Sequence, residues 1–131
     1  MNYGRTLDNR DFAGFERLFT TDAEYGGGKL QYKGPAEIRK WLETALKANA
    51  APMPGRDWHF LLNEMVTLDG DQATAVSLGA FFVRGEGNKL ESNSIAIYTD
   101  LLVRQDGVWK FRRRVLGSAP SADVLKALPA R

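Results

Sequence analysis

Apolar residues recur at helical spacing along the first half of the chain and at alternate positions along the second, with the change of period near Trp58. Phe12, Phe15, Leu18 and Phe19 follow a polar cluster, Asp8-Asn9-Arg10-Asp11, that suits a helix N-terminus, and a first short helix is expected to end near Asp8. The strongest stripe is Ile38, Trp41, Leu42, Ala45 and Leu46, behind Gly34-Pro35, where proline opens the helix at its first position. Between these helices, Tyr25-Gly26-Gly27-Gly28-Lys29 and Tyr32 read as a flexible turn. Its glycines lack the spacing of a phosphate loop.

From Trp58 onward the alternation predicts four strands, at about 59–68, 73–84, 91–103 and 108–116. Asp69-Gly70, Gly85-Glu86-Gly87-Asn88 and Asp106-Gly107 separate them and supply the residues that hairpin turns need. Long antiparallel strands twist and curl, so four or five of them make a concave face that the N-terminal helices cap, with a pocket between. The fold class is therefore α+β. The tail, Ser118 to Leu128, is expected to form a short helix opened by Ser121 that closes the pocket or packs on a neighbouring subunit.

Alternation also sorts the faces. Phe60, Leu62, Val66 and Leu68 form a more apolar set than His59, Leu61, Asn63 and Met65, so His59 is expected to line a polar side of the cavity. Phe60, Leu62 and Val66 are expected on an outer face too apolar for water, which predicts a homo-oligomer, either dimer or trimer. Arg113 shares its parity with Trp109, Phe111 and Val115, an unexpected place for a charge. It either pairs with Asp100 on the neighbouring strand or anchors an anionic substrate.

Composition narrows the chemistry. The 131 residues, 44% hydrophobic and 26% charged, suit one globular domain spanning 1–131. No apolar run of about 18 residues suggests a membrane span, and the start, Met1 to Arg5, lacks a secretory signal, so a cytoplasmic location is expected. A net charge of +2 is too small to imply a nucleic-acid partner, so none is expected, and Arg112-Arg113-Arg114 sits in an alternating segment that reads as a strand with one wetted face. The absence of cysteine excludes disulfides and thiolate chemistry, and a single histidine without a carboxylate cluster suggests no metal site.

That histidine, His59, and Asp8 form the constellation with chemical content. A carboxylate that holds an imidazole in one tautomer makes a general base near neutral pH. Asp8 is equally suited to cap the helix that follows it, and His59 to be an ordinary strand residue. Trp41, Phe15, Phe19, Phe81 and Trp58 are candidate apolar walls.

The run Leu7-Asp8-Asn9-Arg10-Asp11-Phe12, the strand start Trp58-His59-Phe60 and the hairpin Gln105-Asp106-Gly107-Val108-Trp109-Lys110-Phe111 resemble segments of scytalone dehydratase and the wider SnoaL-like family of the NTF2-like superfamily. Gly34-Pro35 and Asp69-Gly70-Asp71-Gln72-Ala73 also stand at family-typical places, and the resemblance spans nearly the whole chain. It implies a cystatin-like cone around a pocket for a small hydrophobic or aromatic molecule. It matches the family's catalytic aspartate and histidine to Asp8 and His59, working without a cofactor, with Tyr25 near the place of a substrate-polarising tyrosine and Tyr3 at that of a tyrosine used by bile-acid dehydratases. Tyr98 is a further candidate donor to the substrate oxygen. The second active-site histidine of scytalone dehydratase is missing, and that enzyme's serine and asparagine contacts fall roughly at Ala96 and Tyr98, which argues against scytalone as substrate. The implied function is a dehydratase-type lyase or an isomerase acting on a hydrophobic or polycyclic substrate. The alternatives are a non-catalytic ligand-binding or oligomerisation module and an accessory subunit.

Overall fold

The computed structural model describes residues 2–27, 31–48, 57–120, 122 and 126. Three helices, α1 (Tyr3–Asp8), α2 (Phe12–Glu16) and α3 (Gly34–Ala48), pack on a curved six-stranded sheet. Its strands are β1 (Phe19–Gly27), β2 (Tyr32–Lys33), β3 (Asp57–Asp69), β4 (Gln72–Arg84), β5 (Leu90–Gln105) and β6 (Val108–Gly117), in the order β2-β1-β6-β5-β4-β3. All neighbours are antiparallel except β1 and β6. The four predicted strands are present, and Gly70, Gly87 and Gly107 take the positive φ that their turns require. None of the described helices is long and apolar enough to cross a membrane. The predicted start of the tail helix at Ser121 lies outside the described residues.

The first half departs from its predicted elements. Helix α2 stops at Glu16, and Phe19 opens β1, opposite Phe111 of β6, while Gly26 and Gly27 lie in that strand against Val115 and Leu116. Phe12, Phe15, Leu18 and Phe19 imitate a helical stripe because a two-residue turn separates a helix face from a strand face. All four apolar side chains still reach one core, with Leu7, Ile38 and Leu42.

Bulges decide which side chains of β3 and β6 enter the concavity. In β3, Asn63 and Glu64 together oppose one residue of β4, between the Leu62–Leu78 and Met65–Val76 pairs, and Asn63 adopts φ 52°. An inserted residue reverses the alternation beyond it. Phe60 and Leu62 therefore face outward as expected, but Val66 and Leu68 turn to the concave side and line an open cavity with Leu61. In β6 the extra residue is Arg112, so Arg114, not Arg113, follows Trp109 and Phe111 onto the inner face. Arg113 lies within 3.5 Å of Glu24 on the outer face.

Arg114 is only 2% exposed. Its Nε and Nη2 donate to the two carboxylate oxygens of Asp100 at 2.7 and 2.8 Å. The guanidinium carbon lies 4.0, 4.1 and 4.6 Å from the ring centres of Tyr3, Phe111 and Tyr98. Burial disfavours its charge, but attraction and hydrogen bonding to Asp100 outweigh that and raise its pKa, so Arg114 stays ionised. Desolvated charges are tolerated only as a complete pair. Asp100→Asn is expected to cost about 3–5 kcal/mol in urea unfolding, because it strands Arg114, whereas the double variant Asp100→Leu/Arg114→Met costs much less. Equal losses in the two variants would show that the pairing is not what matters.

Candidate active site

Helix α1 crosses the start of β3 at close range. A Cβ on Gly4 would stand 2.8 Å from the carbonyl oxygen of His59, so only glycine lets the helix lie this near the strand. That contact brings Asp8, the last residue of α1, to His59. Asp8 Oδ1 accepts from the backbone N–H of His59 at 2.9 Å and meets its Nδ1 at 2.8 Å. The cap of α2 belongs to Asp11, whose carboxylate accepts from Gly14 N–H at 2.8 Å, which leaves Asp8 free for the histidine. An acidic residue at a helix C-terminus has the unfavourable sign for the helix dipole, and the two His59 donors offset it.

An ionised carboxylate only accepts, so Nδ1 of a neutral His59 carries the proton and Nε2 keeps a free lone pair. Burial holds the imidazole below its ordinary pKa of 6.5, against the opposing pull of Asp8. The ring is stacked on Phe81, with centres 4.3 Å apart. Next to the pair, Arg10 holds Asp57 with both guanidinium nitrogens and donates from Nη1 to the Leu7 carbonyl at 2.8 Å. Arg10 adopts φ 56° to do so, and these contacts offset the strain of a non-glycine residue there.

His59 lines a half-open cavity of about 160 Å³ together with Tyr3, Tyr25, Trp41, Phe81 and Tyr98. The hydroxyls of Tyr3 and Tyr25 are 2.9 Å apart, and Tyr25 packs on Trp41 at 5.0 Å between ring centres. Burial raises the pKa of all three tyrosines, so each is a neutral phenol near pH 7 and can donate a hydrogen bond. The ring of Tyr98 lies across Gly79, where a Cβ would sit 2.4 Å from its Cζ. An imidazole, phenolic donors and apolar walls thus meet around one half-open cavity.

Of the residues singled out from sequence, Asp8, His59, Tyr3, Tyr25, Trp41, Phe81 and Tyr98 converge here. Phe15 and Phe19 are packed in the core and are not among the residues that line this cavity. Trp58 pairs with Phe82 on the outer side and is covered by Arg84, 5.2 Å from its ring centre. Arg113 is outside, and Asp100 pairs with Arg114 instead, because of the bulge at Arg112. Sequence reasoning missed Arg114, Arg10 and Asn93, the last of which enters the cavity wall at a register shift in β5. Only Asn63, a residue type tolerant of positive φ, offered a sign of any bulge. Among the described residues no three His, Asp or Glu side chains are grouped to hold a metal ion.

Residues 1–115 match the family model of the SnoaL-like domain. The chain belongs to this family. Among solved structures, an NTF2-like protein with a cystatin-like fold from Novosphingobium aromaticivorans is 27% identical, with TM-score 0.74 over 98% of this chain and 83% of that one. ActVI-ORFA from Streptomyces coelicolor is 24% identical, with TM-score 0.76 over 88% of each chain. A protein provisionally named scytalone dehydratase, also from N. aromaticivorans, is 23% identical, with TM-score 0.68 over 88% of this chain and 75% of that one. No curated protein sequence matches. The SnoaL-like chain thus has the NTF2-like, cystatin-like fold that the resemblance implied.

The balance of forces on His59 gives a direct test. Its pKa is lowered on folding, so the unfolded chain binds the proton more tightly and this contribution to stability, present above pH 6.5, is lost as pH falls below that value through the lower folded pKa. The ring Cε1–H resonance is expected to titrate with a midpoint below 6.5, and Asp8→Asn, which removes the interaction that raises the pKa, is expected to move it lower. A midpoint that rises in Asp8→Asn would contradict this electrostatic account.

Proposed function

We propose that the protein is a cofactor-independent lyase of the dehydratase kind, or an isomerase, in which His59 removes an acidic C–H proton from a small hydrophobic substrate. The observation that carries this reading is the double hydrogen bond from His59 to one oxygen of Asp8 at the wall of a cavity. Nε2 takes the proton from a carbon next to a carbonyl, and Asp8 stabilises the imidazolium that forms. Tyr25, with Tyr3 behind it, or Tyr98 donates to the carbonyl oxygen as negative charge develops there. In an elimination, the electron pair then expels a β-hydroxyl, which leaves as water with the proton held by His59. In an isomerisation that proton returns to a different carbon. The family membership supports this chemistry without specifying the substrate.

The single histidine favours a second reading, in which the domain binds a small molecule, or serves as an accessory subunit, without turnover. A panel of cyclic β-hydroxy ketones, followed by loss of substrate and gain of enone absorbance, separates the two. His59→Ala is expected to lower turnover about 10²–10⁴-fold with the fold intact, and Asp8→Asn to act in the same direction. Full turnover in both variants would reject the pair as the catalytic base, and saturable binding without product across the panel would favour the second reading.

We also propose that the chain is a homo-oligomer through the outer face of β3, β4 and β5. Phe60, Leu62 and Ile95 are 43, 47 and 64% exposed on that face, and β3 is a long edge strand. Light scattering at micromolar concentration is expected to give a mass at least twice the 14.6 kDa of the chain, reduced towards the monomer by Phe60→Asp with Ile95→Asp. A monomeric parent protein would contradict the interface.

A further inference from the structure

The buried Arg114 layer divides the concavity. On the side away from His59 lies a second cavity of about 270 Å³, larger than the one at the Asp8–His59 pair. Leu61, Val66, Ala75, Leu102 and Trp109 line it, and the Asp100–Arg114 pair and Tyr3 form its inner wall. It holds roughly nine water volumes at about 30 Å³ each, the size of a single ring with a short side chain.

One charged group at this cavity stands apart. Asp100 and Arg114 neutralise each other, but Glu64, also in the lining, has no hydrogen bond or ion pair among the described residues. Simple alternation from Leu61 would send Glu64 outward with Leu62. The bulge, with Asn63 at φ 52°, turns the exposed Glu64 to the concave side and brings Val66 and Leu68 with it. One local distortion thus creates both the apolar flank and the carboxylate at its rim. Val66 and Leu68 are 57 and 68% exposed although they lie on the concave side, so the apolar surface there is open to an incoming molecule.

We propose that this cavity is a second small-molecule site, distinct from the Asp8–His59 pocket, and that it takes a primary amine carried on a single-ring apolar body. The ring lies between Val66 and Trp109 and the ammonium meets Glu64. One face of Trp109 already carries the Arg104 guanidinium, 5.5 Å from its ring centre, so Trp109 supplies an apolar wall and the charge selection rests on Glu64. This site does not depend on the catalytic reading of His59.

Phenethylamine, phenethyl alcohol and phenylacetate, of nearly equal size, test the proposal by titration into the ¹⁵N-labelled protein. Phenethylamine is expected to shift the Trp109 indole N–H, assigned with Trp109→Phe, and the amides of Leu61 and Glu64, while leaving the Trp41 indole unmoved. Its affinity is expected to exceed that of the alcohol and to fall roughly two- to fivefold in Glu64→Gln, the range of an exposed ion pair, with the alcohol unaffected. Ala75→Leu, which fills the cavity, is expected to abolish binding, and Glu64→Gln carries the test alone should that variant fail to fold. Phenylacetate binding as tightly as the amine, shifts centred on Trp41 and His59, an unchanged amine affinity in Glu64→Gln, or no saturable shift at Trp109 would each overturn the assignment.

Discussion

One buried guanidinium organises the interior. Arg114 meets Asp100 through two hydrogen bonds and presents its faces to Tyr3, Tyr98 and Phe111. A cation this deeply buried is tolerated only because its carboxylate partner is buried with it, so the pair constrains everything that seals it from water. Tyr3 is part of that seal and belongs to α1, whose other end carries Asp8. The helix is thus held at two points, by the stacking of Tyr3 on Arg114 and by the hydrogen bonds from His59 to Asp8. Six residues are too few to be stable as an isolated helix, so these tertiary contacts are what maintain it.

The same arrangement sets the electrostatics of the smaller cavity. Burial disfavours the imidazolium and Asp8 partly restores it, so the neutral ring that the proposed base requires is favoured near neutral pH. The tyrosines respond in the opposite sense: burial keeps their protons on, so a neutral imidazole and neutral phenols line the same cavity without competing for one proton. Separate sites with different pKa tendencies are what an enolate-forming reaction requires.

Much of this was legible in the amino-acid sequence, where the signal was local. The stripe from Ile38 to Leu46 and the turns at Gly70, Gly87 and Gly107 report their own conformations, and α3 and the four long strands appear where these patterns lie. Strand β1 was hidden because Phe19 continues the spacing of Phe12 and Phe15 and because glycines followed Tyr25. Its existence depends on pairing with β6, about ninety residues away. Facing was lost wherever a bulge intervened. Three consecutive arginines give no sign of which one points inward, so Arg113 was assigned the place that Arg114 takes. The Asp8–His59 pair was legible from residue chemistry and resemblance, but the division of labour between Asp8 and Asp11 required the helix ends themselves.

The account rests on Asp8 fixing the protonation of one ring nitrogen, and that can be observed without a substrate. Long-range ¹H–¹⁵N correlation of the His59 ring, recorded well above its titration midpoint, distinguishes the two neutral tautomers directly. The structure predicts the proton on Nδ1, facing Asp8, with an unprotonated Nε2. A neutral ring protonated on Nε2 would leave no lone pair facing the cavity and would contradict the account of His59 as its base.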